Sequence, residues 1–321
     1  MEASIIIPTC NRSEKLHNCL LALSNQTQSD GDFEVIVVVD GSTDDTLEML
    51  SNLEMPFPLR IIQQPNAGQP AALNRGAAES RGQVFIFLDD DIVVVPQFVS
   101  EHLRLHKTAD RVIGIGQITL TLPSNADWFA RGFAQGWQIH YDEFNRGRRE
   151  PDWDDCYGGN MSVSRAVFLA VGGNVTDLRR GYDVELAYRL KQYGCSFKYL
   201  PDAIGNQFEH KGFRELSADS EFAGKASVEL VRRYPATETR LFGDFQKNRR
   251  SWFLLWRLLE ITNVSARGIE RLHRLAGKRG NSFAGFTFFS NYYFWKGVHR
   301  AAPERTAWKQ TLLLKKRGNL A

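Results

Sequence analysis

Val84-Phe85-Ile86-Phe87-Leu88-Asp89-Asp90-Asp91 is the stretch whose reading decides the fold. A run of bulky apolar residues bounded by polar ones reads as a strand buried on both faces, the pattern of an inner parallel strand. The three aspartates then stand at its carboxyl end. In open α/β sheets that edge is where ligands bind, and adjacent carboxylates repel one another unless a cation or hydrogen-bond donors offset them. A divalent metal holding a diphosphate meets that demand.

Upstream, strand and helix signals alternate: Ser4 to Ile7, a helix from about Ser13, Glu34 to Val39, a helix from about Asp44, Leu59 to Gln63, and a helix from about Pro70. This alternation predicts right-handed βαβ units in a mostly parallel sheet flanked by helices. Ser13 is expected to cap the helix carrying Leu16, Leu20 and Leu23, while Pro70 suits a first helical position and Gly82 a helix exit. Downstream, Trp128 to Gly159 reads as irregular, aromatic and polar, with 146–150 a mobile loop. Regular structure is expected again at Met161 to Leu169, Asp183 to Tyr193 and Ser196 to Leu200, and the end of the chain reads as helices rich in Arg, Trp, Phe and Leu.

The 321 residues, 43% of them hydrophobic, suffice for a substantial core. Cys10, Cys19, Cys156 and Cys195 are scattered without C-x-x-C spacing, which argues against a zinc knuckle or disulfide framework and fits a reducing compartment. No secretory signal precedes the first strand and no apolar stretch reaches the ~20 residues of a membrane span. A cytoplasmic protein is therefore expected. Net charge is +3, yet the residues from Arg240 onward carry 17 Lys and Arg against 4 Asp and Glu, which leaves −10 for the rest. Basic, aromatic helices suit peripheral contact with an anionic membrane surface on its cytoplasmic face, and a solvated helical cap is the plainer reading. No nucleic-acid-binding motif is visible, so no nucleic acid partner is expected.

Neither G-x-G-x-x-G after a strand nor G-x-x-x-x-G-K-[ST] occurs, which weighs against a dinucleotide oxidoreductase and a P-loop NTPase. Polar clusters instead follow successive strands: Pro8-Thr9-Cys10-Asn11-Arg12, Asp40-Gly41-Ser42-Thr43-Asp44, Asn66-Ala67-Gly68 and the triple aspartate.

In their order and spacing these pieces resemble a family 2 glycosyltransferase of the GT-A fold. The match includes Ser4 to Thr9 with Asn11-Arg12, Val38 to Asp44, Asn66-Ala67-Gly68 with Ala71 and Asn74-Arg75-Gly76, and Phe87 to Asp91. Gly158 to Ser162, Val171-Gly172-Gly173 and Gly181 to Leu190 are similar to the acceptor half of such enzymes, including those related to galactosyltransferases. The resemblance implies a nucleotide-sugar-binding half over 1–125, an acceptor-binding and catalytic half over 126–215, and a helical, membrane-associating region over 216–321.

It also implies a metal-dependent, inverting transfer of a sugar from a nucleotide diphosphate, a UDP-sugar by preference, to a hydroxyl acceptor such as a sugar or glycolipid. Pro8, Thr9, Asn11, Arg12, Asp40, Asn66, Gly68, Asn74, Asp89 and Asp90 would bind the donor. Asp40 would accept from a base N–H, which uracil and guanine both offer. Asp91 would hold Mn²⁺ or Mg²⁺, helped by His210, because hard carboxylate oxygens suit those ions. Asp183 is the expected base, kept ionised by the positive end of its helix, with Glu185 as competitor. Trp153, Gly159, Asn160, Tyr182 and Glu185 would line the acceptor. Tyr182 stands where the family carries a glutamate, which makes the acceptor unusual. A nucleotidyltransferase and an inactive sugar-nucleotide-binding module are the rivals; the first normally has a glycine-rich, basic turn where Pro8-Thr9 stands.

Overall fold

The computed structural model describes residues 1–28, 31–208, 211–247 and 282–302, together with Gly268 and Leu275. It divides into two compact units, 1–123 with 136–209 and 124–135 with 210–321.

The first unit is built on one sheet. Its strands are β1 (Ala3–Thr9), β2 (Phe33–Asp40), β3 (Leu59–Gln64), β4 (Val84–Leu88), β5 (Ile92–Val94), β6 (Val112–Thr121), β7 (Asn160–Ser164) and β8 (Ser196–Phe208). They lie in the order β3-β2-β1-β4-β7-β6-β8-β5. β3, β2, β1 and β4 run parallel, as the alternating pattern predicts. β7 is antiparallel to both β4 and β6, whereas β6 and β8 are parallel.

Burial explains the unbroken apolar runs. On one face, Ile5, Ile7, Val35 and Val37 pack in one cluster with Leu16, Leu20 and Leu23 of α1 (Ser13–Leu23). On the other, Ile36 and Val38 pack with Ala72 of α3 (Gln69–Glu79). With both faces covered, successive residues must all be apolar, each large one contributing about 2 kcal/mol by its removal from water. α2 (Thr46–Ser51), α4 (Phe98–His106), α6 (Arg165–Ala170) and α7 (Tyr182–Gln192) complete the connections, and α5 (Trp128–Asn145) belongs to this unit from Gly136 onward.

Three local expectations are corrected. Ser13 does not cap α1 with its side chain; its own N–H donates to the Asp44 carboxylate at 3.3 Å, so the cap comes from the next loop. Gly82 lies past the end of α3 and is small for another reason: a β carbon there would meet the Ser4 nitrogen at 2.4 Å. Most of the supposedly irregular stretch is helix α5, in which Phe129, Tyr141 and Phe144 are buried. The turn after it is pinned where Arg149 meets Asp155 at 2.8 Å and lies over the Phe144 ring.

In the second unit, α8 (Phe213–Arg233), α9 (Glu238–Lys247) and α10 (Ser282–Ala301) gather a small core of Val228, Phe242, Phe294 and Val298. Glu221 of α8 accepts Lys225, Lys296 and Arg300, so part of the tail's positive charge is internally matched. Among the described residues no helix is long and apolar enough to cross a membrane. The apolar stretch Trp252 to Trp256 lies outside the described residues, as does much of the basic tail.

Candidate active site

The carboxyl ends of β1, β2 and β4 bring the sequence clusters together. Each of the three aspartates has donors of its own, and Arg12 is shared by Asp90 and Asp91, which offsets part of their mutual repulsion. Asp90 points inward, 3% exposed, accepting the Thr9 hydroxyl at 2.7 Å and Arg12 at 2.9 Å. Asp91 accepts Gln207 at 3.0 Å and faces Arg12 at 3.4 Å and Lys15 at 3.5 Å. Asp89 accepts the Gln69 amide at 2.7 Å. Burial, with the charges of Asp91 and Asp90 beside it, pushes Asp89 up to about 7. Burial also raises Asp90, against the opposing pull of Arg12 and Thr9.

The other donor-side residues fall into two groups. Asp40, 4% exposed, accepts Gln64 and the Ala67 N–H on Oδ1 and the Gly68 N–H on Oδ2, each at 2.8 Å. Its carboxylate therefore fixes the Asn66-Ala67-Gly68 turn, with Asn66 donating back to the Asp40 carbonyl at 2.9 Å. Asn11, at φ 54, accepts the Thr43 and Asp44 N–H groups and ties the β1 turn to the β2 turn. Pro8 lies opposite Val38 in the register of β1 on β2, one pair before its end at Thr9 and Val39. Asn74 stands apart: its amide pairs with the backbone of Asn174 at 2.8 Å in both directions, which makes it a tie between α3 and a later loop.

Asp183 enters from α7, whose N-terminal flank is Gly181 at φ 74. Its Oδ2 accepts the Gly158 N–H at 3.2 Å and its Oδ1 the Val184 N–H at 2.9 Å. The direction of its pKa corrects the expectation of a readily ionised base. Burial raises it above the ordinary carboxylate value and outweighs the backbone donors and Arg180, which pull it down. A raised carboxylate is the better proton acceptor.

Gly158 and Gly159 stand between this carboxylate and the aspartate cluster. A β carbon on Gly158 would lie 3.4 Å from Asp183 Cβ, and one on Gly159 only 2.5 Å from Asp89 Oδ2. Asp89 in turn donates its N–H to the Gly159 carbonyl at 3.3 Å. Two residues without side chains thus bring together carboxylates from β4 and α7.

Three acceptor-side expectations are corrected by burial. Trp153 is 4% exposed and packs edge-on against Tyr188 of α7, ring centroids 5.1 Å apart, so it offers no face for a sugar. Glu185 is wholly buried in an ion pair with Arg189 at 2.7 Å, which removes it as a competing base. Asn160, 1% exposed, spends its amide on the Gln117 and Ala203 carbonyls and is an internal anchor. Tyr182, 6% exposed, lies behind the glycines, where a β carbon on Gly158 would meet its hydroxyl at 3.3 Å. His210 lies outside the described residues. Gln69, Lys15 and Gln207 join the site without any sequence signal beyond position, each a common polar residue near a strand or helix end.

The structure contains no ready-made metal cage: among the described residues, no group of three or more His, Cys, Asp or Glu converges on one point. The donor set nonetheless suits a hard cation that is completed by other oxygens. Asp91 presents carboxylate oxygen, 11% exposed, amid excess negative charge that raises its neighbour Asp89.

Comparison with known proteins gives the same outline. The chain is 38% identical over 117 residues to the uncharacterized glycosyltransferase YfnE of Bacillus subtilis, covering 36% of this chain and 30% of that one. It is 27% identical over 267 residues to a validoxylamine A glucosyltransferase of Streptomyces hygroscopicus subsp. limoneus, covering 74% and 58%. Glycosyltransferase AglE of Haloferax volcanii is 28% identical over 233 residues, covering 71% and 73%. The chain thus spans less than two thirds of the length of the first two. In fold it is similar to the mannosyltransferase PcManGT of Pyrobaculum calidifontis, a structure in complex with GDP-Man and Mn²⁺, with a TM-score of 0.63 at 16% identity over 96% of this chain and 87% of that one. The α/β architecture is the GT-A one that the sequence led us to expect. Residues 4–172 match the profile of Glycosyl transferase family 2, from the first strand past the Gly158-Gly159 turn, and the chain belongs to that family.

Proposed function

We propose that this protein moves a sugar from a nucleoside diphosphate to a hydroxyl acceptor, with inversion at the anomeric carbon and with help from a divalent cation. The observation that carries the reading is the convergence of Asp183 with the aspartate cluster on the two sides of Gly158-Gly159. The relative named as a glucosyltransferase, and the mannosyltransferase neighbour holding GDP-Man and Mn²⁺, support the reaction class.

In this reading the Asn66-Ala67-Gly68 turn, held by Asp40, forms the floor under the nucleoside, and UDP and GDP are the donor bases to test first. Asp91 is the residue that would hold Mn²⁺ or Mg²⁺, with Asp89 beside it. A cation there would stabilise negative charge on the departing diphosphate. Arg12 and Lys15, already turned to the aspartates, add positive charge on the donor side. Asp183 accepts the acceptor's hydroxyl proton as that oxygen attacks, and its raised affinity for a proton favours that transfer. The Gly158 N–H leaves Asp183 fixed in orientation while its other oxygen stays directed by Val184.

The test is a panel of UDP-, GDP-, dTDP-, CMP- and ADP-linked sugars, with and without Mn²⁺, read by thermal stability and by the product released. Cation-dependent stabilisation by one nucleotide class, with release of the nucleoside diphosphate, is expected, because a ligand that binds the folded state raises its stability. Release of pyrophosphate, or binding without turnover under any acceptor, would overturn the reading. For the basic C-terminal region we propose contact with an anionic lipid surface. Full-length protein is expected to sediment with vesicles containing phosphatidylglycerol and not with purely zwitterionic ones, and to be released by salt.

A further inference from the structure

Behind the Gly158-Gly159 turn runs a chain of polar side chains, buried at Asn160, Ser162 and His102 and half-buried at His106, for which the transfer chemistry gives no role. Asn160 and Ser162 alternate on β7 and share a face; His102 and His106 lie four apart on α4 and share another. Glycines on β6 make the room between them. A β carbon at Gly116 would lie 2.2 Å from Asn160 Oδ1, and one at Gly114 2.5 Å from Ser162 Oγ. Into that space His102 Nε2 approaches Asn160 Oδ1 at 3.0 Å, His102 Nδ1 approaches Ser162 Oγ at 2.8 Å, and His106 Nε2 approaches the same hydroxyl at 3.0 Å.

The donors and acceptors sort in only one direction. Asn160 gives its amide hydrogens to the Gln117 carbonyl at 3.1 Å and the Ala203 carbonyl at 2.9 Å, so its oxygen is the end facing His102. That oxygen accepts only, and His102 Nε2 must therefore carry the hydrogen. Burial drives His102 down to about 3, which keeps the ring neutral and leaves Nδ1 to accept the Ser162 hydroxyl. The Ser162 oxygen then accepts from His106 Nε2. The chain reaches the site through Asn160, whose backbone follows directly on Gly159. Its amide anchors the start of β7 where the β6–β8 register shifts, between Gly116 and Gln117. The glycine turn has no side chain of its own to hold it, and Asn160 is the adjacent anchor.

We infer that His102 is a positioning residue for sugar transfer: through its hydrogen bond to Asn160 it fixes the Gly158-Gly159 turn that sets Asp183 against the aspartate cluster. This rests on Asp183 being the base. A small displacement of a positioned group costs rate and leaves binding largely intact. The hydrogen bond to Asn160 comes from Nε2, so glutamine at this position can supply the donor, whereas asparagine is too short to reach.

The test compares His102→Gln, His102→Asn and Asp183→Asn with the unaltered protein, using UDP-glucose and GDP-mannose with Mn²⁺ and measuring release of the nucleoside diphosphate. His102→Asn is expected to lose kcat by about tenfold or more with the donor KM within about twofold, and His102→Gln to regain most of it. If Asp183→Asn retains turnover, the base assignment fails and this inference with it. If Asp183→Asn loses turnover while the two His102 variants behave alike, or while His102→Asn keeps full kcat, the inference alone is overturned. Nitrogen-15 NMR of histidine-labelled, unaltered protein gives a check that needs no variant. A neutral His102 with hydrogen on Nε2 is expected, and hydrogen on Nδ1 would overturn the chain of donors.

Discussion

The backbone N–H of Gly158 donates to the Oδ2 of Asp183 at 3.2 Å, across 25 positions of sequence. A carboxylate held by a main-chain donor keeps its orientation whichever substrate is bound, and the donor comes from the turn that also touches Asp89. Asp183→Asn preserves that volume and cannot accept a proton. Turnover is expected to fall by about 10²- to 10⁴-fold while donor-induced stabilisation persists. Nucleoside diphosphate release, set beside thermal titration with donor, separates the two.

Gly159→Ala places a methyl group 2.5 Å from Asp89 Oδ2, a distance that forces the carboxylate or the turn to move. The expected cost is about 1–3 kcal/mol of stability. A weaker response to Mn²⁺ should accompany it, seen as a higher midpoint in a metal titration followed by thermal melting. An unchanged midpoint would mean that Asp89 and its neighbours do not meet the cation.

The raised Asp89 makes stability depend on pH in a defined sense. Its folded value of about 7 exceeds the ordinary 3.8, so the folded protein holds a proton that the unfolded chain releases first. The stabilisation is fully present below the lower value and is lost as pH rises through the upper one. Without a divalent cation, Asp89 is expected to lower Tm as pH rises from about 5 to about 8, against the opposite contribution of the buried, neutral His102, so the Asp89 part is read as the difference in pH slope between the unaltered protein and Asp89→Asn. Added Mn²⁺ should raise Tm more at the higher pH, where the carboxylate is ionised and available.

Glu185 and Arg189 form a buried ion pair one helical turn apart, and Arg189 also donates to the Gly173 carbonyl. Glu185→Ala strands that arginine, at an expected cost of about 3–5 kcal/mol. The folded fraction should keep its pH–rate profile, since Glu185 has no access to substrate. Denaturant titration and a pH series on the remaining folded protein check both halves.

Where the sequence was easily read, one physical signal dominated. β4 was legible because a strand covered on both faces needs an unbroken apolar run, and the aspartates after it could only be at the ligand edge. Asp183 and Gly159 were singled out because Gly181 to Leu190 and Gly158 to Ser162 resemble the acceptor half of family 2 enzymes. Helix α5 was missed because Gly132 and Gly136 interrupt its pattern and weaken its local propensity, while tertiary burial of Phe129, Tyr141 and Phe144 supplies what propensity lacks. Trp153, Glu185 and Asn160 were misjudged as surface contacts because polarity and aromaticity say nothing about burial. Arg189 four residues after Glu185 was the available warning of an ion pair. His102, the partner of Asn160 on α4, lies 58 positions away, and no local pattern links them.

β7 lies at the centre of the sheet, antiparallel between β4 and β6, although its residues fall in the segment 126–215 read from the sequence as the acceptor half. The two functional halves named by sequence are therefore not separable modules. A chimera joined near residue 125, made to combine one donor preference with another acceptor, would exchange the middle strand of the sheet together with the turn beside Asp89. Graftable variation in this protein should accordingly be sought in the segments after β7, and any recombination across it must bring along the matching β4 and β6.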